Sequence, residues 1–261
     1  MNPLAGGLME LMTWVEVREA AGAGLPVVLP MGSTEQHGPH LPLNTDCVIP
    51  VGIALETAKR LSLVVAPPVR FGARSRPLSG GGESFPGTLS LRATTLMLTL
   101  QEVLEALARA GFERICVLNW HYENAAYLWE PCDLAVAKHP ELRILVMEDP
   151  MPRFSEAELA ELFPRGFPGW DVEHASIMET SLMDVLAPDS VRRELVADDE
   201  AARHPSWDVV PAPAEFIPKS GVLWHPTEAS REIGQRFLEG CSKRLEEALR
   251  TEFGLTAAPG S

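Results

Sequence analysis

Leu25 to Met31 reads L-P-V-V-L-P-M, a short and almost wholly apolar run that follows the glycine-rich Ala21–Gly24. No polar residue alternates through it, so both faces must be buried, as in a strand inside a parallel sheet. Three more runs share the pattern. They are Leu63–Ala66 (LVVA), closed by Pro67-Pro68, Arg114–Leu118 (RICVL), after Gly111, and Leu142–Met147 (LRILVM), after His139-Pro140. Helical periodicity fills the gaps. Asp46–Leu61 is amphipathic with Thr45 or Asp46 as its cap. Thr94–Arg109 sets apolar residues at three and four spacing and stops at Gly111, while Asn124–Ala137 contains Pro131 and is expected to kink. The order β-α-β-α-β-α-β with right-handed crossovers predicts a three-layer α/β/α sandwich around a mostly parallel sheet.

Two irregular stretches, Val69–Ala93 and Met151–Glu173, are rich in Gly and Pro, and long ordered loops of this kind carry function. A helix over His174–Leu186 and a longer one over Thr227–Glu252 are predicted. Polar, Pro-rich Asp198–Pro226 between them is expected on the surface or against a neighbouring subunit. With no repeat or linker, residues 1–261 are expected to form a single domain, with the tail TAAPGS frayed.

Composition narrows the function. A chain of 261 residues, 46% apolar, can bury a full core. With 36 acids against 22 bases, the net charge of -14 argues against nucleic acid or an anionic membrane as partner. No run nears the roughly 18 apolar residues of a membrane helix, and the N-terminus lacks a secretory pattern. Cys47, Cys116, Cys132 and Cys241 are scattered without a C-x-x-C pair, so no disulfide framework is expected. A cytoplasmic protein is predicted, with Cys116 as plain core.

Chemistry concentrates in two places. Gly32–Asp46 reads G-S-T-E-Q-H-G-P-H-L-P-L-N-T-D, and Asn119–Asn124 reads N-W-H-Y-E-N. Glu35-x-His37 and His121-x-Glu123 each follow a predicted strand, and i, i+2 spacing in extended chain sets both side chains on one side. Asp46, opening the first long helix, can bridge them. Imidazole with carboxylate suits Zn²⁺ or Mn²⁺, and the lack of thiolate argues against a closed structural zinc site. Two such ions roughly 3.5–4 Å apart can share a hydroxide as nucleophile while one polarises a carbonyl. The competing reading makes His37 and His121 loop residues satisfied by hydrogen bonds. His40 reads as structural, and His139, His204 and His225, each beside Pro, as solvated. There is no Gly-Lys-Ser/Thr after Gly80–Gly82 and no G-x-S-x-G, so neither a phosphate loop nor a serine hydrolase is indicated.

On these residues the chain resembles the creatininase (creatinine amidohydrolase) family of metal-dependent amidohydrolases, from about Leu11 through the last helix. The E-Q-H-G-P-H-L-P-L-N-T-D element is similar to that of the whole family. Three segments resemble its creatinine-hydrolysing branch: Ser79–Thr88 (SGGGESFPGT), His121–Asn124 (HYEN), and Gly166–His174 (GFPGWDVEH) followed by E-T-S-L-M. The resemblance implies one metal on Glu35, Asp46 and His121, and a second on His37, Asp46 and Glu123, one accepting Mn²⁺ and the other Zn²⁺. It implies His174 as the proton-transfer residue with Glu173 beside it, and Glu123 as part of the catalytic set. It implies a small-molecule pocket lined by Ser79, Tyr122, Trp170 and Asp171, and a hexamer built from dimers. The expected reaction opens a small cyclic amide, creatinine to creatine.

The chain departs from that pattern twice. The family's further tryptophan ahead of the Trp170 position is absent, and Phe154 is the only aromatic in Glu148–Phe154. Trp120 stands where a glycine is expected. Two alternatives stay open at this point. One is a formamide or lactam hydrolase with the same metals, and the other is a non-catalytic metal- or ligand-binding α/β protein.

Overall fold

The computed structural model of the chain describes residues 6–199, 207 and 209–255. Five strands are present among them: β1 (Gly6–Leu8), β2 (Val27–Met31), β3 (Leu63–Val65), β4 (Arg114–Asn119) and β5 (Arg143–Met147). They form one sheet in the order β1-β3-β2-β4-β5, every adjacent pair parallel. The helices are α1 (Trp14–Gly22), α2 (Thr45–Ala58), α3 (Ala93–Arg109), α4 (Trp129–Lys138), α5 (Glu156–Leu162), α6 (Ile177–Leu186) and α7 (Arg231–Phe253).

The strands alternate between two cores, as side chains on a pleated strand must. Val28, Cys116 and Leu118 point to one face, where Ile49 and Ile53 of α2, Leu182 of α6, and Phe237 and Leu245 of α7 cover them. Val27, Leu29, Ile115 and Val117 point to the other, against α1, α4, and Leu96, Leu100, Leu104 and Leu107 of α3. This is the expected three-layer α/β/α sandwich. Chain connections leave β2 and β4 in opposite directions along the sheet, so a crevice opens beyond their carboxyl ends.

All four predicted strands are present; β1, α1 and α5 were not foreseen. Both helices carry a capping box, Thr13 with Glu16 and Ser155 with Glu158, a signal available in the sequence. Three helix expectations need correction. Neither Thr45 nor Asp46 caps α2: Asn44 holds the N-cap position without a side-chain bond, and the Thr45 hydroxyl donates to Pro42 O. Pro131 causes no kink, because α4 begins at Trp129 after a 3-10 turn over Tyr122–Tyr127. Pro131 therefore sits in the first turn, where its missing N–H is not needed. Helix α6 starts at Ile177, which leaves His174 in the approach to it. Pro30 is tolerated inside the sheet because the paired part of β3 ends at Val65, short of it. His204 and the tail TAAPGS lie outside the described residues. No described helix is long and apolar enough to cross a membrane.

Candidate metal centre and active site

The two predicted pincers meet. His37 is buried, with Nδ1 3.1 Å from the Glu35 carbonyl and Nε2 3.0 Å from Asp46 Oδ1. His121 is buried with Nε2 3.0 Å from the Ala73 carbonyl, while Nδ1 lies 2.9 Å from Glu35 Oε1 and 3.3 Å from Asp46 Oδ2. A carbonyl can only accept, so each imidazole spends its N–H on the backbone. Its other nitrogen then presents a lone pair to carboxylates. Lone pair facing carboxylate demands a cation between them, and backbone anchoring of the far nitrogen is how metal-ligating histidines are oriented. Asp46 Oδ2, buried and without a hydrogen-bond partner, is consistent with the same demand. The donor set therefore fits divalent ions.

Electrostatics agrees. Burial alone would depress both histidines. The Asp46 and Glu179 carboxylates outweigh it at His37, and Glu35 with Asp46 outweighs it at His121, holding both well above the ordinary histidine range. A proton is thus drawn to the position that suits a metal.

Three compact donor groups emerge among the described residues: Glu35–Asp46–His121, His37–Asp46–Glu179, and Glu35–His37–His174, the last with the half-buried His174. The first is the set the resemblance implies. The second carries Glu179 in the place expected for Glu123. Glu123 Oε1 instead accepts from the Ser79 hydroxyl and from Arg76 N, and its Oε2 lies 3.6 Å from His121 Nε2, on the far side of that ring from Asp46. Sequence reasoning missed Glu179. A lone carboxylate inside the apolar run I-M-E-T-S-L-M was the available signal, since such a group is costly to bury without a partner.

His174 lies at the rim, its ring 4.5 Å from that of His37 and its Nδ1 4.0 Å from Glu35 Oε1. Its hydrogen-bond partner is Gln36, also missed, whose Nε2 is 2.8 Å from His174 Nε2. The Gln36 amide orientation follows from its neighbours: Gly38 N donates to Oε1, and Nε2 donates to the carbonyls of Gly80 and Gly221. Gln36 Nε2 shares its two hydrogens among these three neighbours and cannot itself accept, so His174 Nε2 faces it with a lone pair and the His174 proton lies on Nδ1, toward Glu35. A Cβ at Gly221 would overlap the Gln36 amide, which explains the glycine there. Glu173 does not orient His174. Its Oε2 accepts from Met178 N at 2.9 Å, and burial pushes its carboxyl up to about 8.

The crevice holds about 260 Å³ and is lined, beside the candidate metal ligands, by Ser79, Trp120, Tyr122, Met151, Trp170 and Asp171. Among the described residues, no Lys or Arg lines it. Phe154 does not replace the absent tryptophan. It stacks behind Trp170 at 6.3 Å, within an aromatic cluster with Phe237, and the side chain on the pocket wall is Met151. His40 is structural as expected, buried against the Thr180 hydroxyl at 2.8 Å and lowered to about 4 by burial. His225 is half-buried and paired rather than free in solvent, 3.3 Å from Asp198 and 3.2 Å from Arg165. His139 is half-buried beside Glu141.

Comparison with known proteins agrees with this geometry. The family described as creatinine amidohydrolase matches residues 10–249. Creatinine amidohydrolase of Pseudomonas putida is 37% identical over 254 residues, covering 93% of this chain and 95% of the relative. The mycofactocin precursor peptide peptidase of Mycolicibacterium smegmatis is 33% identical over 235 residues, covering 84% of each. Among solved structures, a creatininase in a Mn form superposes with a TM-score of 0.90 at 36% identity, over 96% of this chain and 100% of that one. A creatininase variant of Zn-Zn type gives 0.87 at 35%, over 95% and 98%. The chain belongs to the creatininase family of hydrolases that act on amide C–N bonds.

Proposed function

We propose that residues 1–261 form one amidohydrolase domain that opens the ring of creatinine to give creatine. The observation that carries the reading is the pair of backbone-anchored imidazoles, His37 and His121, turned onto the shared carboxylate of Asp46. Two divalent ions, Zn²⁺ and/or Mn²⁺, would be held there. Glu35, Asp46 and His121 take one, and His37, Asp46 and Glu179 the other, with Glu123 beside His121 in the catalytic set. Such ions supply Lewis acidity to the amide carbonyl and lower the pKa of the attacking water.

The remaining work falls to the chain's own side chains. Trp170, braced from behind by Phe154 and Phe167, offers a flat wall for a guanidine-like ring. Asp171 accepts hydrogen bonds from its amino or imino group. Ser79 and Tyr122 close the sides, Ser79 fixing Glu123 as it does so. His174 Nδ1–H, aimed inward by Gln36, passes a proton to the leaving ring nitrogen. Glu173, protonated at neutral pH by its burial, keeps a further negative charge out of an already acidic pocket.

A second reading is a bulkier or open-chain amide. Met151 on the wall, with no aromatic lid beside it, favours it, as does the peptide-cleaving relative. A homo-oligomer up to a hexamer belongs to the same proposal, supported by the exposed Trp14 and Trp129. So does a cytoplasmic location, supported by four unpaired, buried cysteines. The test is creatinine turnover by metal-stripped protein before and after adding Mn²⁺ or Zn²⁺. Metal-dependent creatine formation is expected. Two bound metals without turnover would discard creatinine and favour the second reading.

A further inference from the structure

Trp120 follows the last residue of β4 and precedes His121. Its backbone N donates to the Met31 carbonyl at 2.9 Å, so the side chain is launched from the sheet itself. The ring lines the pocket, and its Nε1–H donates to Glu179 Oε1 at 2.9 Å. The other oxygen, Oε2, accepts from Ala175 N at 2.7 Å and lies 3.5 Å from His37 Nε2. Each oxygen of this buried carboxylate thus has one fixed donor, and the two donors set the plane of the group. Ala175 stands at φ 54, a costly backbone conformation for a residue with a side chain, so the Oε2 donor is also held at an energetic cost.

We infer that Trp120 is a positioning residue, whose indole N–H holds Glu179 in the orientation that completes the His37–Asp46 half of the metal centre. The inference rests on the metal reading proposed above. Phenylalanine at this position would keep the apolar wall and remove the donor. Glu179 Oε1 would then be buried without a partner, and the carboxylate would be free to turn away from His37. Glu35 and His121 take no hydrogen bond from the indole, so the effect must fall on one half of the centre.

The experiment is calorimetric Zn²⁺ titration of four metal-stripped proteins: the parent, W120F, E179Q and W120F/E179Q. The parent is expected to bind two ions. W120F should weaken one of them by about 10–100-fold, the range for loss of a ligand-orienting group, and leave the other unchanged. Because Trp120 acts through Glu179, the double variant should lose no more than E179Q alone. A W120F isotherm equal to the parent's, equal weakening of both ions, or additive losses would each overturn the inference. Should W120F not fold, the indole N–H resonance of Trp120 in E179Q decides: it must move when its acceptor is altered, and an unmoved resonance overturns the assignment. A parent that takes up no Zn²⁺ overturns the metal reading itself, a result separate from an unaltered W120F.

Discussion

Gly32→Ala should disable the metal centre through a single methyl group. Gly32 directly follows β2, and its φ is not in the left-handed region, so alanine meets no backbone strain there. Space is the obstacle. A Cβ would stand 2.4 Å from the Asp46 carbonyl oxygen, 2.8 Å from its carbon and 3.0 Å from Cys47 Sγ. Ordinary contact begins at 3.4 Å, so α2 must retreat by about 1 Å (3.4 less 2.4). The approach is close because Pro50, four residues on, lacks the N–H that would bond the Asp46 carbonyl, leaving that oxygen turned toward Gly32.

Asp46 belongs to both of the donor groups proposed to hold an ion, so the retreat should spare neither. We expect affinity for both to fall by about 10–100-fold. Turnover should fall by about 10²-fold, the cost of a displacement near 1 Å at a reacting centre. Overpacking should cost about 1–3 kcal/mol of stability. Zn²⁺ titration and thermal melting read both effects, with Gly22→Ala as control, since a Cβ there meets nothing within 4 Å. Parent-like metal affinity in G32A would refute the reasoning.

His174→Ala is expected to keep its metals and slow turnover by about 10²–10⁴-fold; metal loss would make His174 a ligand instead. Glu173 offers a pH test. Its carboxyl rises from the ordinary 4.5 to about 8 on burial, so the unfolded chain releases the proton from about pH 4.5 while the fold retains it. Stability from this group therefore drains away as pH rises from about 4.5 to 8 and then levels off, a loss on the order of a few kcal/mol. E173Q should melt like the parent at pH 5 and higher than it at pH 8; parallel melting curves would show that Glu173 is ionised in the fold. Chelation should lower the melting temperature, since free ion at 100 times its Kd stabilises by about 2.7 kcal/mol per site. Unchanged melting under chelator would contradict metal binding by these carboxylates. Leu100→Ala, emptying a fully buried position on α3, should cost about 2–5 kcal/mol in denaturant unfolding without altering metal affinity.

Local patterning made much of this molecule legible in the chain. Apolar runs such as Val27–Met31 and Arg114–Leu118 can only be strands buried on both faces, and the leucines of Ala93–Arg109 repeat at helical spacing. Glu35, His37, His121 and Glu123 stand out because each lies within a few residues of a strand end, where parallel sheets place their sites. The short β1 was not legible, because three residues containing two glycines carry no periodic signal and pair only through the register of Leu63–Val65.

By itself, then, the sequence determined the sandwich, the carboxyl edge on which the chemistry lies, and most of the donor inventory, because these follow from short-range periodicity and residue type. Only the tertiary structure decided which donors lie together. Glu179 comes to His37 from a helix 142 positions later in the chain, Gln36 rather than Glu173 orients His174, and Phe154 packs behind Trp170 instead of on the pocket wall. These pairings join distant parts of the chain, and they follow from how α6 and the segments around it fold back against the sheet, which no local pattern encodes.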